Sequence, residues 1–303
     1  MTADTNYGVA DAIFIDTVYA GGGALGGAPT KLLERVLTQG TDTLVALDEM
    51  ISADFPQLIP ETNRDKDIEG TLYPAKAVGI RVPPLVGRRL SYLQTDNLYD
   101  IAISGTYGAI PTTFTWANDN AINQKDSFGC WIDQLILHSK VGDPGYIFQD
   151  ATIGGRNNGA GTITMIAFQT GSRATFADIN KANTVFDAKT ADTLVINEIK
   201  MTITNTLEKD KSYGLGDAYI QNPVLLGREV MVEIWCLERD SNTWRADCEN
   251  LTRQLIDSTI VWSTFLTSTM TNLEPVDHNE NMVKNGLKQH YYKFQSGVGF
   301  TIA

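Results

Sequence analysis

Between residues 228 and 237 the chain alternates with a period of two. Val230, Val232, Ile234 and Cys236 fall on one side, and Glu229, Met231, Glu233 and Trp235 on the other. Successive side chains of an extended backbone point to opposite faces, so the segment predicts a strand with one face turned toward a core. A charged turn follows over residues 238–242, where Ser241 or Asn242 suits the N-cap of a helix. Trp244, Cys248, Leu251 and Leu255 then recur at helical intervals and predict one apolar stripe, on a helix reaching Ile256, to lie on that sheet. Residues 291–295 and 298–302 are strand-like again, interrupted by Gly297 and Gly299.

The rest of the chain is less regular. Residues 10–20 are mostly apolar and fit either a strand or a helix, and the glycines of residues 21–27 break regular structure. Pro29 suits the first turn of a helix carrying Leu32, Leu33, Val36 and Leu37, and a second helix carries Leu44, Leu47 and Ile51. Residues 57–89, punctuated by Pro60, Pro74, Pro83 and Pro84, predict an extended arm. From residue 90 to 115 the pattern turns to β, with Leu98, Ile101, Ile103, Tyr107, Phe114 and Trp116. A helix is predicted over residues 130–138 from Ile132, Leu135 and Ile136, a loop tip over 157–161, strands over 162–169 and 193–206, and a loop over 209–217.

These elements predict an α+β fold: a mixed or antiparallel sheet covered by helices on one face, with an additional β-rich region and long loops. They divide the chain into N-terminal helices and an arm (residues 1–89), the β-rich region (90–206) and a strand-helix-strand module (207–303), or into parts of a single domain, since no linker fixes a boundary.

At 303 residues the chain can bury a sizeable core, and 43% apolar against 20% charged side chains is ordinary for a globular protein. Its 36 acidic and 24 basic side chains leave a net charge of -12, which repels a phosphate backbone unless basic residues cluster. The nearest approach to a cluster is Arg88 and Arg89, adjoining Pro83, Pro84 and Gly87, which predicts a solvated pair on a loop. Cys130, Cys236 and Cys248 lack metal-ligand spacing and are odd in number, so buried thiols in a reducing compartment are expected. The N-terminal residues lack the basic and apolar regions of a signal peptide, and no apolar run approaches the roughly 20 residues that span a bilayer. A soluble protein made in the cytosol is expected. The sequon at Asn250 falls inside the predicted helix.

Motifs with chemistry are few. Gly21, Gly23 and Gly26 match a dinucleotide fingerprint, but Pro29 delays the following helix and Asp42 lies in a helical pattern rather than at the end of a second strand. His138, His278 and His290 stand alone in sequence, and a metal site needs them to converge with carboxylates. No nucleophile elbow is present, and none of the cysteines has a recognisable nucleophile context. Asp65 with Asp67, and Asp277 with Glu280, are carboxylate pairs of a kind that an acidic chain produces freely in solvated loops. Residues 277–281 suggest a calcium loop but lack its glycine and terminal glutamate. Trp235, Trp244, Trp262, Tyr291 and Tyr292 suit either a sugar-stacking platform or core packing, and their registers favour the core. No catalytic, cofactor-binding or metal-binding residue is therefore expected.

The run Glu229-Val-Met-Val-Glu-Ile-Trp235, the charged turn Glu238-Arg-Asp240, the helix to Ile256 and the aromatic last strand together resemble tail-terminator or tail-completion proteins of tailed bacteriophages. The resemblance covers the C-terminal quarter. It implies a small α+β protein, with helices covering a sheet, that assembles into rings and carries no catalytic residues. The expectation that follows is a non-enzymatic virion protein of the tail or neck, made in the host cytoplasm. Its partners would be copies of itself in a ring and other virion proteins of the tail tube, neck or connector. Sequence-specific nucleic-acid binding, membrane contact and a cofactor are not expected, although a negatively charged channel wall would let DNA pass without sticking. A tail-tube or neck-connector protein is a further option within the same class, and the alternative outside it is a carbohydrate-binding protein or glycosidase with an aromatic cleft.

Overall fold

Val230, Val232, Ile234 and Cys236 have no exposed surface, while Glu229 on the other face is exposed and Met231, Glu233 and Trp235 are half-buried. The period of two thus yields a strand, and nearly everything around it is strand as well. The computed structural model describes residues 11–16, 19–20, 24–25, 30–35, 85–93, 96–111, 114–119, 124–142, 145–155, 157–160, 174–187, 189–209, 223–237, 243–249, 254–282 and 288–303. Its N-terminal strands are β1 (Asp11–Asp16), β2 (Tyr19–Ala20), β3 (Ala24–Leu25), β4 (Thr30–Arg35) and β5 (Leu85–Tyr92). Helix α1 (Asn97–Ile103) precedes β6 (Phe114–Asp119), β7 (Gln124–Lys140), β8 (Ile147–Gly155) and β9 (Asn157–Ala160). Then come β10 (Val185–Phe186), β11 (Lys189–Thr190), the single turn α2 (Ala191–Leu194), β12 (Ile196–Glu208) and β13 (Val224–Cys236). Helix α3 (Thr243–Glu249) leads to β14 (Ile256–Val261), β15 (Thr267–Met282) and β16 (Lys288–Ile302).

Fourteen of these strands form one sheet, in the order β11-β10-β14-β15-β16-β13-β12-β7-β6-β1-β4, with β5, β8 and β9 joined to it through β7 and β8. Every pairing is antiparallel. The α+β expectation is therefore corrected: the described residues form an antiparallel β fold, and the α-helices among them, of 7, 4 and 7 residues, are too short to cover a face. Strand β7, 17 residues long, ties the sheet together. Near Gly129, whose φ of 59° an L side chain rarely adopts, its pairing changes. Residues up to Cys130 pair with β6 and β9, and residues from Trp131 on with β8 and β12. The core fills the inner face with Leu135, Leu137, Met201, Ile203, Val232 and Ile234, together with Leu98 and Ala102 of α1 and Trp244 of α3.

Several local expectations are overturned. Residues 130–138 are strand, paired with β8 and β12, and a register shift between Ile132 and Gln134 against β8 inserts one residue. That bulge puts Ile132 and Leu135 on the same buried face although they are three apart, which imitates helical spacing. Conversely, residues 97–103 are helix. Leu98, Ile101 and Ala102, at helical intervals, are all buried, and the Ile101/Ile103 alternation that suggested a strand is incidental. Residues 30–35, expected as helix, pair as a strand with β1. Residues 157–160 pair with β7 instead of forming a loop tip. The helix expected to run to Ile256 is described over Thr243–Glu249, and Ile256 opens β14. The second N-terminal helix, most of the arm, the 162–169 strand and Leu251 lie outside the described residues. No helix among the described residues is long and apolar enough to cross a membrane.

Candidate functional site

The β15–β16 hairpin grades from a dry core to a polar rim. On the inner face of β16, Phe294 and Tyr292 are buried and His290 comes next toward the end of the hairpin where Met282 pairs with Lys288. Across on β15, His278 stands opposite Tyr292 and Glu280 opposite His290. Directly opposed residues of an antiparallel pair share a face, so the pairing brings two imidazoles and a carboxylate together. His278 Nε2 and His290 Nδ1 are 3.3 Å apart, and Glu280 Oε1 is 4.0 Å from His290 Nδ1. One donor atom from each residue lies within 4.8 Å of the other two. The rings are held by stacking: His278 lies 4.6 Å from the Tyr292 ring at 28°, and 5.6 Å from His290 at 23°.

Helix α3 supplies the roof. Trp244 packs edge-on against Tyr292 and Phe294, with centroids 5.5 and 5.2 Å away. That anchor lets the next residue, Arg245, donate to Glu280 Oε1 at 2.7 Å, while Lys288 Nζ donates to Oε2 at 3.3 Å. The hydrogen bond from Lys288, together with the charges of Lys288 and Arg245, holds the Glu280 carboxyl below the usual range, so it stands as a carboxylate. The site thus offers two imidazole nitrogens and one fixed anion at the sheet rim.

The opposite face of the same strands is a charged ladder. Glu233 accepts hydrogen bonds from Lys200 Nζ and Tyr291 Oη, both at 2.8 Å, and Glu198 lies 3.0 Å from His138 Nε2 and 3.1 Å from Lys140 Nζ. Burial alone would push the Glu233 carboxyl up. The hydrogen bonds from Lys200 and Tyr291, with the charges of Lys200 and Lys293, outweigh it and leave the group lowered. A carboxyl lowered on folding adds stability above its unfolded value and loses it as pH falls through the folded one. Glu233→Gln should therefore flatten the acid side of the stability profile as pH falls below the unfolded glutamate value of about 4.3. Unfolding free energies from urea melts at a series of pH values there that fall as steeply in the variant as in the wild type would contradict this account of Glu233.

The residues singled out by sequence fall elsewhere or apart. Gly21, Gly23 and Gly26, like Asp65 and Asp67, lie outside the described residues, but residues 30–35 after the glycines are strand, so no helix N-terminus follows there to receive a pyrophosphate. Arg88 and Arg89 sit on β5, paired with Thr152 and Ala151, rather than on a loop. Of the aromatic platform, Trp244 and Trp262 are fully buried, and Trp235 meets Tyr291 at 5.0 Å and 47° on the ladder face. The calcium loop suggested for residues 277–281 is part of β15, whose extended backbone cannot wrap an ion that takes six to eight oxygens. His138 stands on the ladder face, away from the other two histidines. The convergence of His278, Glu280 and His290 was missed because residues 277–281 read as a loop. Read as a strand, His278 and Glu280 at i and i+2 share a face. An apolar depression lined by Phe176, Ile179, Ala191, Ile196 and Ile199 has Lys181 and Thr184 as its polar lining residues.

Compared with family models and with curated proteins, the sequence matches none.

Proposed function

We propose that the chain is a non-enzymatic structural protein of a tailed-bacteriophage virion, a component of a tail or neck ring. The observation that carries this reading is the open, long-stranded sheet. β7, β15 and β16 run 17, 16 and 15 residues, and among the described residues β4, β5, β9 and β11 have a strand on one side only. A one-sided strand presents backbone N–H and C=O groups to a second chain, and addition of a neighbour's segment to such an edge is an economical way to join identical subunits. The pattern of residues 229–240 adds the resemblance to tail proteins, and a net charge of -12 suits a wall past which DNA moves. Terminators as that resemblance describes them have helices over a sheet, which the described residues lack, so the proposal extends to tail or neck and to no single position there.

Light scattering on the eluting full-length protein, with negative-stain microscopy, should find rings, and peptide mass spectrometry should find the chain in purified particles. A strict monomer absent from particles would overturn the proposal. The carbohydrate reading retains only the Trp235–Tyr291 pair of its platform, so the assembly reading is preferred.

A further inference from the structure

We propose that His278, His290 and Glu280 bind a divalent transition-metal ion of the zinc class at the rim of the β15–β16 hairpin. The first argument is metric. Two nitrogen ligands on a tetrahedral zinc ion, each at about 2.0–2.1 Å, stand about 3.3–3.4 Å apart. The His278 and His290 nitrogens stand 3.3 Å apart. The separation also suits a hydrogen bond between the rings, and the third donor makes the set, because ligand atoms of His278, Glu280 and His290 all lie within 4.8 Å of one another. Here Glu280 Oε1 lies 4.0 Å from His290 Nδ1, within reach of a side-chain rotation that would complete a three-ligand set.

The second argument is preorganisation. The two histidines come from adjacent strands in fixed register and stack on a buried tyrosine, so their rings need little further ordering when an ion arrives. His290 keeps only 14% of its side-chain surface exposed, which strengthens attraction between the ion and Glu280. Arg245 and Lys288 act in both directions. They orient the carboxylate as outer partners of metal ligands do, and they also place two positive charges beside the ion. A carboxylate has about four lone-pair sites, so Glu280 can accept from both and still coordinate. Two imidazoles with a single carboxylate favour zinc, copper, nickel or cobalt over magnesium and calcium. Water takes the fourth position on the solvent side. The ion would lock α3 to the hairpin through Glu280 and Arg245, a use that needs no reaction.

The test uses tag-free full-length protein, freed of metal by chelator. Addition of Co²⁺ should give the visible absorption bands of a tetrahedral nitrogen and oxygen site, and Zn²⁺ should bleach them and raise the melting temperature, while Mg²⁺ does neither. His278→Ala and His290→Gln should each weaken Co²⁺ binding by at least about tenfold, using as a floor the low end of losses seen when even outer partners of a metal are removed. His138→Ala, on the ladder face, should leave binding unchanged. Far-UV circular dichroism verifies that each variant is folded, and if His278→Ala fails to fold, His290→Gln and the wild-type spectrum still decide. Absence of the bands in the wild type would overturn the site. So would a strong thiolate charge-transfer band, which would move the ion to a cysteine, or binding that survives both histidine variants.

Discussion

Arg228→Met is expected to destabilise the chain by about 3 kcal/mol or more, since hydrogen bonds to a charged group are worth about 1.5–3 kcal/mol each and the acceptors left behind are partly buried. Helix α1 ends against the sheet with its last carbonyls unpaired by its own turns. Two residues from neighbouring strands satisfy them. Asn205 Nδ2 on β12 donates to the Ala102 carbonyl at 2.9 Å and the Ile132 carbonyl at 3.0 Å. Arg228 on β13 donates from Nη1 to Ile103 O at 2.6 Å and from Nη2 to Ser104 O at 2.5 Å, and its Nε holds the Asn205 side chain at 2.8 Å. Burial lowers the guanidinium pKa, yet the group stays charged because arginine begins so high. A cation at a helix C-terminus also meets the negative end of the helix dipole. Met keeps the length and apolar stem of the side chain, so the loss reports the network rather than a cavity. Urea unfolding should show a lower midpoint at unchanged slope. A loss below about 1 kcal/mol, the size of one ordinary hydrogen bond, would mean that water serves these carbonyls as well as Arg228 does.

How much of this was legible in the sequence depends on where the backbone is regular. The alternation of residues 228–237 survives intact because β13 is paired without a shift over residues 228–235, with β12 on one side and β16 on the other for much of it. Where a bulge interrupts the ladder, the pattern misleads. The extra residue between Ile132 and Gln134 spaces core residues by three, and a helix was read where the longest strand runs. The reverse error at residues 97–103 has a tertiary cause. That helix is only 7 residues long, too short to stand on its own propensity, and it exists because Leu98, Tyr99 and Ala102 are buried and Arg228 and Asn205 cap its end. The arginine lies 125 residues away from the carbonyl it serves, which no local pattern can announce.

The candidate site was hidden for a related reason. His278 and Glu280 are polar residues in a run with Asp277, Asn279 and Asn281, and a polar run reads as a loop. It is a strand because β16 pairs with it as far as Met282. Only that pairing brings His290, twelve residues further on, to 3.3 Å from His278. Once the register is known the chemistry follows from three residues, and before it is known the three look scattered.

Trp244→Ala should cost about 3–5 kcal/mol, the range for truncating a buried aromatic to alanine. Of the stripe expected on the helix, Trp244 alone is fully buried: Cys248 is half-buried, Leu255 beyond the helix is 38% exposed, and Leu251 lies outside the described residues. The indole meets Tyr292 at 84° and Phe294 at 89°, both edge-to-face, and reaches Phe186 at 6.4 Å. Lys189 Nζ lies 5.1 Å from its ring centre, which adds a cation–π contact to the aromatic cluster. A helix of 7 residues has almost no stability of its own, so removing this one anchor should free α3 and with it the Arg245 contact to Glu280. Leu255→Ala is the paired control. It belongs to the same sequence stripe but sits at the surface, and its effect should stay within about 1 kcal/mol. Equal losses at the two positions would show that the stripe acts as one buried seam, as its spacing alone suggests. A large loss at Trp244 with little at Leu255 would show that α3 is pinned at a single point, and amide exchange in α3 should then rise in Trp244→Ala well before the sheet itself opens.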